Sequence, residues 1–291
     1  KLLGDEAFFA SLNNYLTKYQ YQTVEAHQLR LAFEETTGMD LNWFFNQWFF
    51  ASGHPEINVE YNYSGDTLSV QTKQLQDLSN TPLYRLPVEL GLVYEDTTIV
   101  KEVIIDDYHE NFLFTNIDQP LTSIFDYGSH HLIVIDQHKP LNEWIVQYKK
   151  STSFANRFQA IRQVENNISQ KMAAKTLVNA LDDQHQAIRL FALNSLKKTA
   201  IDSLPQIKDK LLDIAMNDKA GEVRASAITF LNEKYEDDFQ ELLSASVYDS
   251  SYIVAGTSLF WYLNKDFDDS KKMIDSLSNE NNINLVIPIA D

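Results

Sequence analysis

The chain has no Cys, so thiolate metal sites are impossible and candidate metal ligands fall among its seven His and its 41 Asp or Glu residues. His109-Glu110 opens an HENFL string, the first half of H-E-x-x-H. That motif binds zinc because His at i and i+4 lie on one helix face. Leu113 stands where the second His belongs, and the neighbouring residues alternate as in a strand. The pair is read as a turn between strands. His130-His131 and His138 form a second cluster. On a strand, adjacent side chains point to opposite faces, so His130 and His131 would not chelate one ion together. His27 and His54 stand apart, and His54, between Gly53 and Pro55, reads as a partly exposed loop residue. No catalytic, cofactor-binding or metal-ligating residue is assigned, and no cofactor is expected in this chain.

Arginine supplies the remaining pattern. Arg157, Arg189 and Arg224 are each followed three residues later by a small residue, Ala160, Ala192 and Ala227. Such a series suits either a peptide C-terminal carboxylate or an Asp of the next repeat, and the second is preferred. Asp182-Asp183, Asp218 and Asp249 precede the successive units as turn or N-cap positions. There is no Gly-rich phosphate loop and no G-x-S-x-G elbow.

Composition narrows the partners. A net charge of -17 would repel nucleic-acid phosphates and anionic lipid surfaces. The most apolar stretch, Trp43 to Ala51, is interrupted by Asn46 and Gln47. It falls well short of the about 20 apolar residues of a membrane span, so a soluble chain is expected. Without Cys, cytoplasm and periplasm both stay open. With 291 residues, 44% of them hydrophobic, the chain can build two or three cores. It lacks an initiating Met and a signal-peptide pattern, as an excised fragment would.

Three periods divide the chain. Up to residue 53, apolar residues recur at helical spacing: Phe8, Leu12, Tyr15 or Leu16, and Tyr19, then Val24, Leu29 (or Leu31) and Phe33. Gly38 reads as a helix stop and Asp40 as the cap of a third helix carrying Leu41, Phe44, Phe45, Trp48 and Phe49. Over 54–146 the period becomes two, in INVEYNY, TLSVQTKQL, YRLPVELGLVYE, TTIVKEVIID, NFLFTNI and HHLIVID. Short strands with polar turns at Ser64-Gly65-Asp66 and Glu95-Asp96 predict an antiparallel β-sandwich. Over 147–291 helical periodicity returns and repeats. The small residues Ala160, Ala192, Ala227 and Ser258 are spaced by 32, 35 and 31 residues, which predicts a HEAT-like α-helical solenoid. The fold class is therefore a multidomain α+β chain.

Residues 41–55, LNWFFNQWFFASGHP, also carry a resemblance. With the preceding helical segment they resemble the end of the catalytic domain of the aminopeptidase N family of zinc metallopeptidases, where F-x-x-W-x-x-x-x-G-x-P closes the last helix. Phe44 or Phe45, Trp48, Gly53 and Pro55 meet the pattern. Ile133 to Lys150, with Pro140 at the turn, is similar to that family's exit from its β-sandwich. The matching positions Gly4, Phe9, Tyr15, Trp48, Gly53 and Pro55 are structural.

The resemblance implies that residues 1–53 are the helical tail of a thermolysin-like catalytic domain. It also implies that the zinc motif, the general base and one zinc of the parent lie before Lys1. The chain is then expected to be inactive alone and to pack against the upstream catalytic domain of its own polypeptide. Its role would be to close the active site and sieve the peptide substrates. Two alternatives share the architecture: a catalytically inactive scaffold, and an unrelated protein-binding module.

Overall fold

The computed structural model describes residues 1–199, 207–236, 239–265, 267, 269–277 and 280–290, which form two compact units, residues 1–156 and 157–291.

The first unit opens with helices α1 (Gly4–Lys18) and α2 (Ala26–Thr37). Gly38 stops α2 as expected, with φ +68° and its N–H on Glu34 O at 2.8 Å. Asp40 Oδ1 then accepts the Asn42 N–H at 2.9 Å, at the start of α3 (Asn42–Phe45). The third helix departs from expectation after one turn, because Asn46–Phe50 is wound as a π-helix. The extra residue per turn turns Gln47 inward, where it is buried. Its amide pairs with a backbone: Nε2 donates to Arg85 O at 2.9 Å and Oε1 accepts the Arg85 N–H at 3.0 Å.

The sandwich contains β1 (Glu56–Ser64), β2 (Thr67–Gln74), β3 (Leu86–Val93), β4 (Thr98–Ile105), β5 (His109–Phe114), β6 (Thr122–Phe125) and β7 (Val134–Gln137). One sheet has the order β5-β2-β1-β7 and the other β4-β3-β6. Ile57, Val59, Leu68 and Val70 of the first sheet share one buried core with Leu86, Val88, Leu90, Ile105 and Phe125 of the second. Alternation along each strand thus puts one apolar face of each sheet against the other. The pairing is antiparallel except between β1 and β7, which run parallel with Glu56 opposite Val134. HHLIVID is strand only from Val134, and β6 was not anticipated.

Glutamines also finish the sandwich where strand pairing stops. Gln74 Nε2 donates to Tyr84 O at 2.7 Å and Gln74 Oε1 accepts the Tyr84 N–H at 2.9 Å. Gln76 Nε2 reaches Gln74 Oε1 at 2.7 Å and Pro82 O at 3.0 Å. These amides satisfy backbone groups that are buried away from water. Gln74→Ala orphans the buried Tyr84 N–H and is expected to cost about 1–3 kcal/mol in a urea unfolding measurement.

Gly53 explains the G-x-P turn physically. Its φ is +86°, and a Cβ there would lie 2.5 Å from Thr81 Oγ1. Gly53→Ala is expected to cost about 1–3 kcal/mol, with the change read from the urea midpoint. Helix α4 (Leu141–Lys150) closes the first unit, burying Trp144, Ile145, Gln147 and Tyr148.

The helical region runs through α5 (Phe154–Glu165), α6 (Lys171–Ala180), α7 (Gln186–Lys197), α8 (Ile207–Asn217), α9 (Gly221–Lys234), α10 (Gln240–Ser246), α11 (Tyr252–Asn264), α12 (Ser270–Leu277) and α13 (Ile283–Ala290). Ala160, Ala192, Ala227 and Ser258 are all 0% exposed, as their repeat spacing predicts. Small side chains at these positions let neighbouring helices approach closely.

Candidate functional site

The histidines do not converge. Among the described residues no group of three or more His, Asp or Glu is placed to hold a metal ion. His109 and Glu110 lie in β5, opposite Lys73 and Thr72 of β2, rather than in a turn. The Glu110 carboxylate is used locally, accepting the Asp106 N–H at 3.0 Å. Burial pushes its carboxyl above the usual range. His138 is solvated beside Asp136, His54 sits 3.8 Å from Glu56, and the His27 ring lies 4.8 Å from that of Phe50.

His130 and His131 are not on a strand. Asp126, buried and with φ +51°, folds the loop around its own carboxylate. Its oxygens accept the backbone N–H groups of His130 at 3.2 Å and His131 at 3.1 Å. His131 Nδ1 lies 2.8 Å from Asp126 Oδ1. Burial pushes the Asp126 carboxyl up, but the His131 contacts and the two N–H groups outweigh it and hold it below the ordinary carboxylate range. This carboxylate captures the two histidines and ends the extended run that their apolar followers suggested.

The arginines find carboxylates within the repeats. Arg157 Nε and Nη2 grip Asp183 at 3.0 and 3.2 Å. Arg189 grips Asp218 with two contacts of 2.7 Å, and Arg224 grips Asp249 at 3.0 and 2.6 Å. The third nitrogen is used as well: Arg189 Nη1 donates to Asp183 O at 2.9 Å and Arg224 Nη1 to Asp218 O at 2.7 Å. Each Asp also accepts an N–H two residues on, from His185, Ala220 and Ser251, at 2.7 to 2.8 Å. The result is a ladder in which one carboxylate folds the turn before a helix and takes the fork of the preceding repeat's Arg. Burial raises the Asp218 carboxyl, but the Arg189 hydrogen bonds and the Ala220 N–H bring it below the ordinary range. Engaged in this way, Arg189 and Arg224 are framework residues, not receptors for a substrate carboxylate.

Sequence reasoning missed Lys139. Its ammonium is enclosed in the first unit, 4.7 Å from the Trp144 ring centre and 5.3 Å from that of Tyr61. It donates to Gln147 Oε1 at 2.7 Å and to Ser123 O. The only signal in the sequence is a Lys directly before Pro140 at the entry to an apolar helix, which also describes many exposed turns. Burial pushes Lys139 down to about 7, against the charge of Glu143. Burial also pushes Glu143 up, against Lys139, and raises Tyr61.

The N-terminal helices leave several large apolar side chains exposed. Of the residues at helical spacing on α1, Phe8 is 43% exposed and Leu16 60%, and the adjacent Phe9 is 62% exposed. Phe49 and Phe50 of the π-turn are also exposed, with Phe49 stacked on the buried Phe45 at 4.4 Å. The local core of Phe33, Leu41 and Phe45 is too small to cover these rings.

The family model for HEAT repeats matches residues 141–232. Aminopeptidase N of Lactococcus lactis subsp. lactis is 36% identical over 72 residues, which is 25% of this chain and 8% of that protein. The crystal structure of Legionella pneumophila aminopeptidase A in complex with aspartic acid superposes with a TM-score of 0.55 at 17% identity. That match covers 99% of this chain and 37% of the other, so the fold is shared while this chain spans a minor part of both relatives' length.

Proposed function

We propose that this chain, which these likenesses support as a C-terminal part of an aminopeptidase-family protein, is the non-catalytic portion of a zinc-dependent aminopeptidase. In this reading the parent's one zinc and its base are held by residues outside this chain, and the described residues hold no group of three or more His, Asp or Glu placed for a metal ion. Residues 1–53 then belong to the catalytic domain, 54–146 to the β-sandwich and 147–291 to the helical domain. The chain packs against the catalytic domain and sieves peptides that reach the active site. No helix among the described residues is long and apolar enough to cross a membrane.

The observation that carries the reading is the exposure of the Phe8, Phe9, Phe49 and Phe50 rings in the segment that resembles the aminopeptidase N family. Large apolar side chains left in water in this number suit surface that is covered in the working protein. Limited proteolysis of the 291-residue chain is expected to remove about the first 50 residues before attacking the rest. The same segment in a longer polypeptide carrying the preceding domain should resist. Equal resistance in both proteins counts against the reading.

A further inference from the structure

Lys139 occupies a site that other residues build. Its side-chain nitrogen donates to Gln147 Oε1 at 2.7 Å and to Ser123 O, between the rings of Trp144 at 4.7 Å and Tyr61 at 5.3 Å. Each wall is fixed without the lysine. Gln147 is 0% exposed, and its Nε2 donates to Asn156 O at 3.1 Å, which leaves Oε1 to face the amine. Tyr61 OH donates to Gln137 Oε1 at 2.9 Å. Ser123 stands in β6 opposite Leu92 of β3, and Trp144 is buried in α4. Lys139 itself is only half-buried, so part of the residue that reaches into this enclosure stays in water. Two acceptors and two ring faces around one nitrogen are the recognition chemistry of a primary amine. The rings alone would also suit a quaternary ammonium, but that group has no N–H for Ser123 O and Gln147 Oε1. An alcohol has one donor for the two acceptors.

We propose that Tyr61, Ser123, Trp144 and Gln147 form a primary-amine site that Lys139 fills from within the chain, and that a free unbranched alkylamine takes the site when that side chain is shortened. Lys139→Ala removes the last three carbons and the nitrogen, the size of n-propylamine. Burial holds the Lys139 amine at about 7, with the Glu143 carboxyl and the Tyr61 ring beside it. A free alkylamine titrates near the about 10.4 of an unfolded lysine, so it sheds its proton on entering the site above pH 7. Its apparent affinity therefore rises about tenfold per pH unit between about pH 7.5 and 9.5.

Thermal unfolding of the full-chain Lys139→Ala variant at about pH 8.5, with and without about 50 mM n-propylamine, tests this. The amine is expected to raise the variant's midpoint by at least about 3 °C, and by less at about pH 7.5. Propan-1-ol or tetramethylammonium at the same concentration should leave the variant unchanged. The amine should leave the wild type and Lys139→Met unchanged, because a side chain already fills the site in each. Should Lys139→Ala not fold alone, recovery of its folded circular dichroism signal on adding the amine is the readout. A variant that gains no more from the amine than from the alcohol overturns the proposal, as does one that stays unfolded with the amine. So does an equal gain in the wild type, or a shift that is no smaller at the lower pH.

Discussion

Asp218→Ala is expected to lower the stability of the helical region by about 3 kcal/mol, the low end for breaking a buried ion pair. The side chains of Asp218 and Arg189 are 7% and 12% exposed, so the guanidinium left behind is largely out of water. The same substitution removes the acceptor of the Ala220 N–H, which folds the turn into α9. Asp249→Ala should cost less, because that carboxylate is 19% exposed and solvent can replace it. Asp218→Asn, which keeps an acceptor but not the charge, should fall between the wild type and Ala. Because the Asp218 carboxyl lies below its ordinary value in the folded chain, its contribution is complete above the unfolded value of about 3.9. It is lost as pH falls through the folded value. Urea unfolding of the three variants, followed by circular dichroism, gives the order directly. A cost below about 0.5 kcal/mol for Asp218→Ala would show that the rung is surface decoration.

The second large effect is a rise of stability with pH, and Lys139 is its source. Burial holds its amine at about 7 in the folded chain, against about 10.4 when unfolded. Below pH 7 both states carry the charge, and the folded state bears the full penalty of enclosing it. Between pH 7 and about 10 the unfolded state binds the additional proton, so unfolding becomes less favourable as pH rises. The gain over that window is of order 4 kcal/mol, with the steepest part midway, at about pH 8 to 9.5. Tyr61 is pushed up, so it opposes the trend only at the alkaline limit, and Glu143 acts on the acidic side. Lys139→Met should abolish the slope and leave the chain more stable than wild type at pH 6. Unfolding midpoints that stay flat from pH 7 to 9 in the wild type would contradict the enclosed ammonium.

These two sites mark what can and cannot be read in advance. Arg157, Arg189 and Arg224 recur with an Asp before each following helix, and that repetition favours an Asp of the next repeat over a peptide carboxylate. The strand pairs β1–β2 and β3–β4 were equally accessible, through alternating apolar residues and the short turns at Gly65-Asp66 and Glu95-Asp96. Lys139 has no such pattern, because what encloses it comes from β1, β6 and α4, far apart in sequence. Strand β6 was hidden because all four of its residues are buried, which erases alternation. The HHLIVID run was read too long because Asp126, several residues earlier, captures both histidines. Gln47, Gln74 and Gln76 complete backbone pairing that the strands leave unfinished, a role that nothing in their spacing announces. The aromatic run at 43–50 was legible as a packing face, but not the π-turn that divides it between Phe45 inside and Phe49 outside.

The proposed function makes these residues the non-catalytic part of an aminopeptidase. The direct test is zinc content and aminopeptidase activity of this chain beside the longer polypeptide of the same gene. The account predicts that the longer protein binds about one zinc and releases N-terminal residues, while the 291-residue chain does neither. Zinc-dependent peptidase activity in the short chain, or its absence from both, would contradict it.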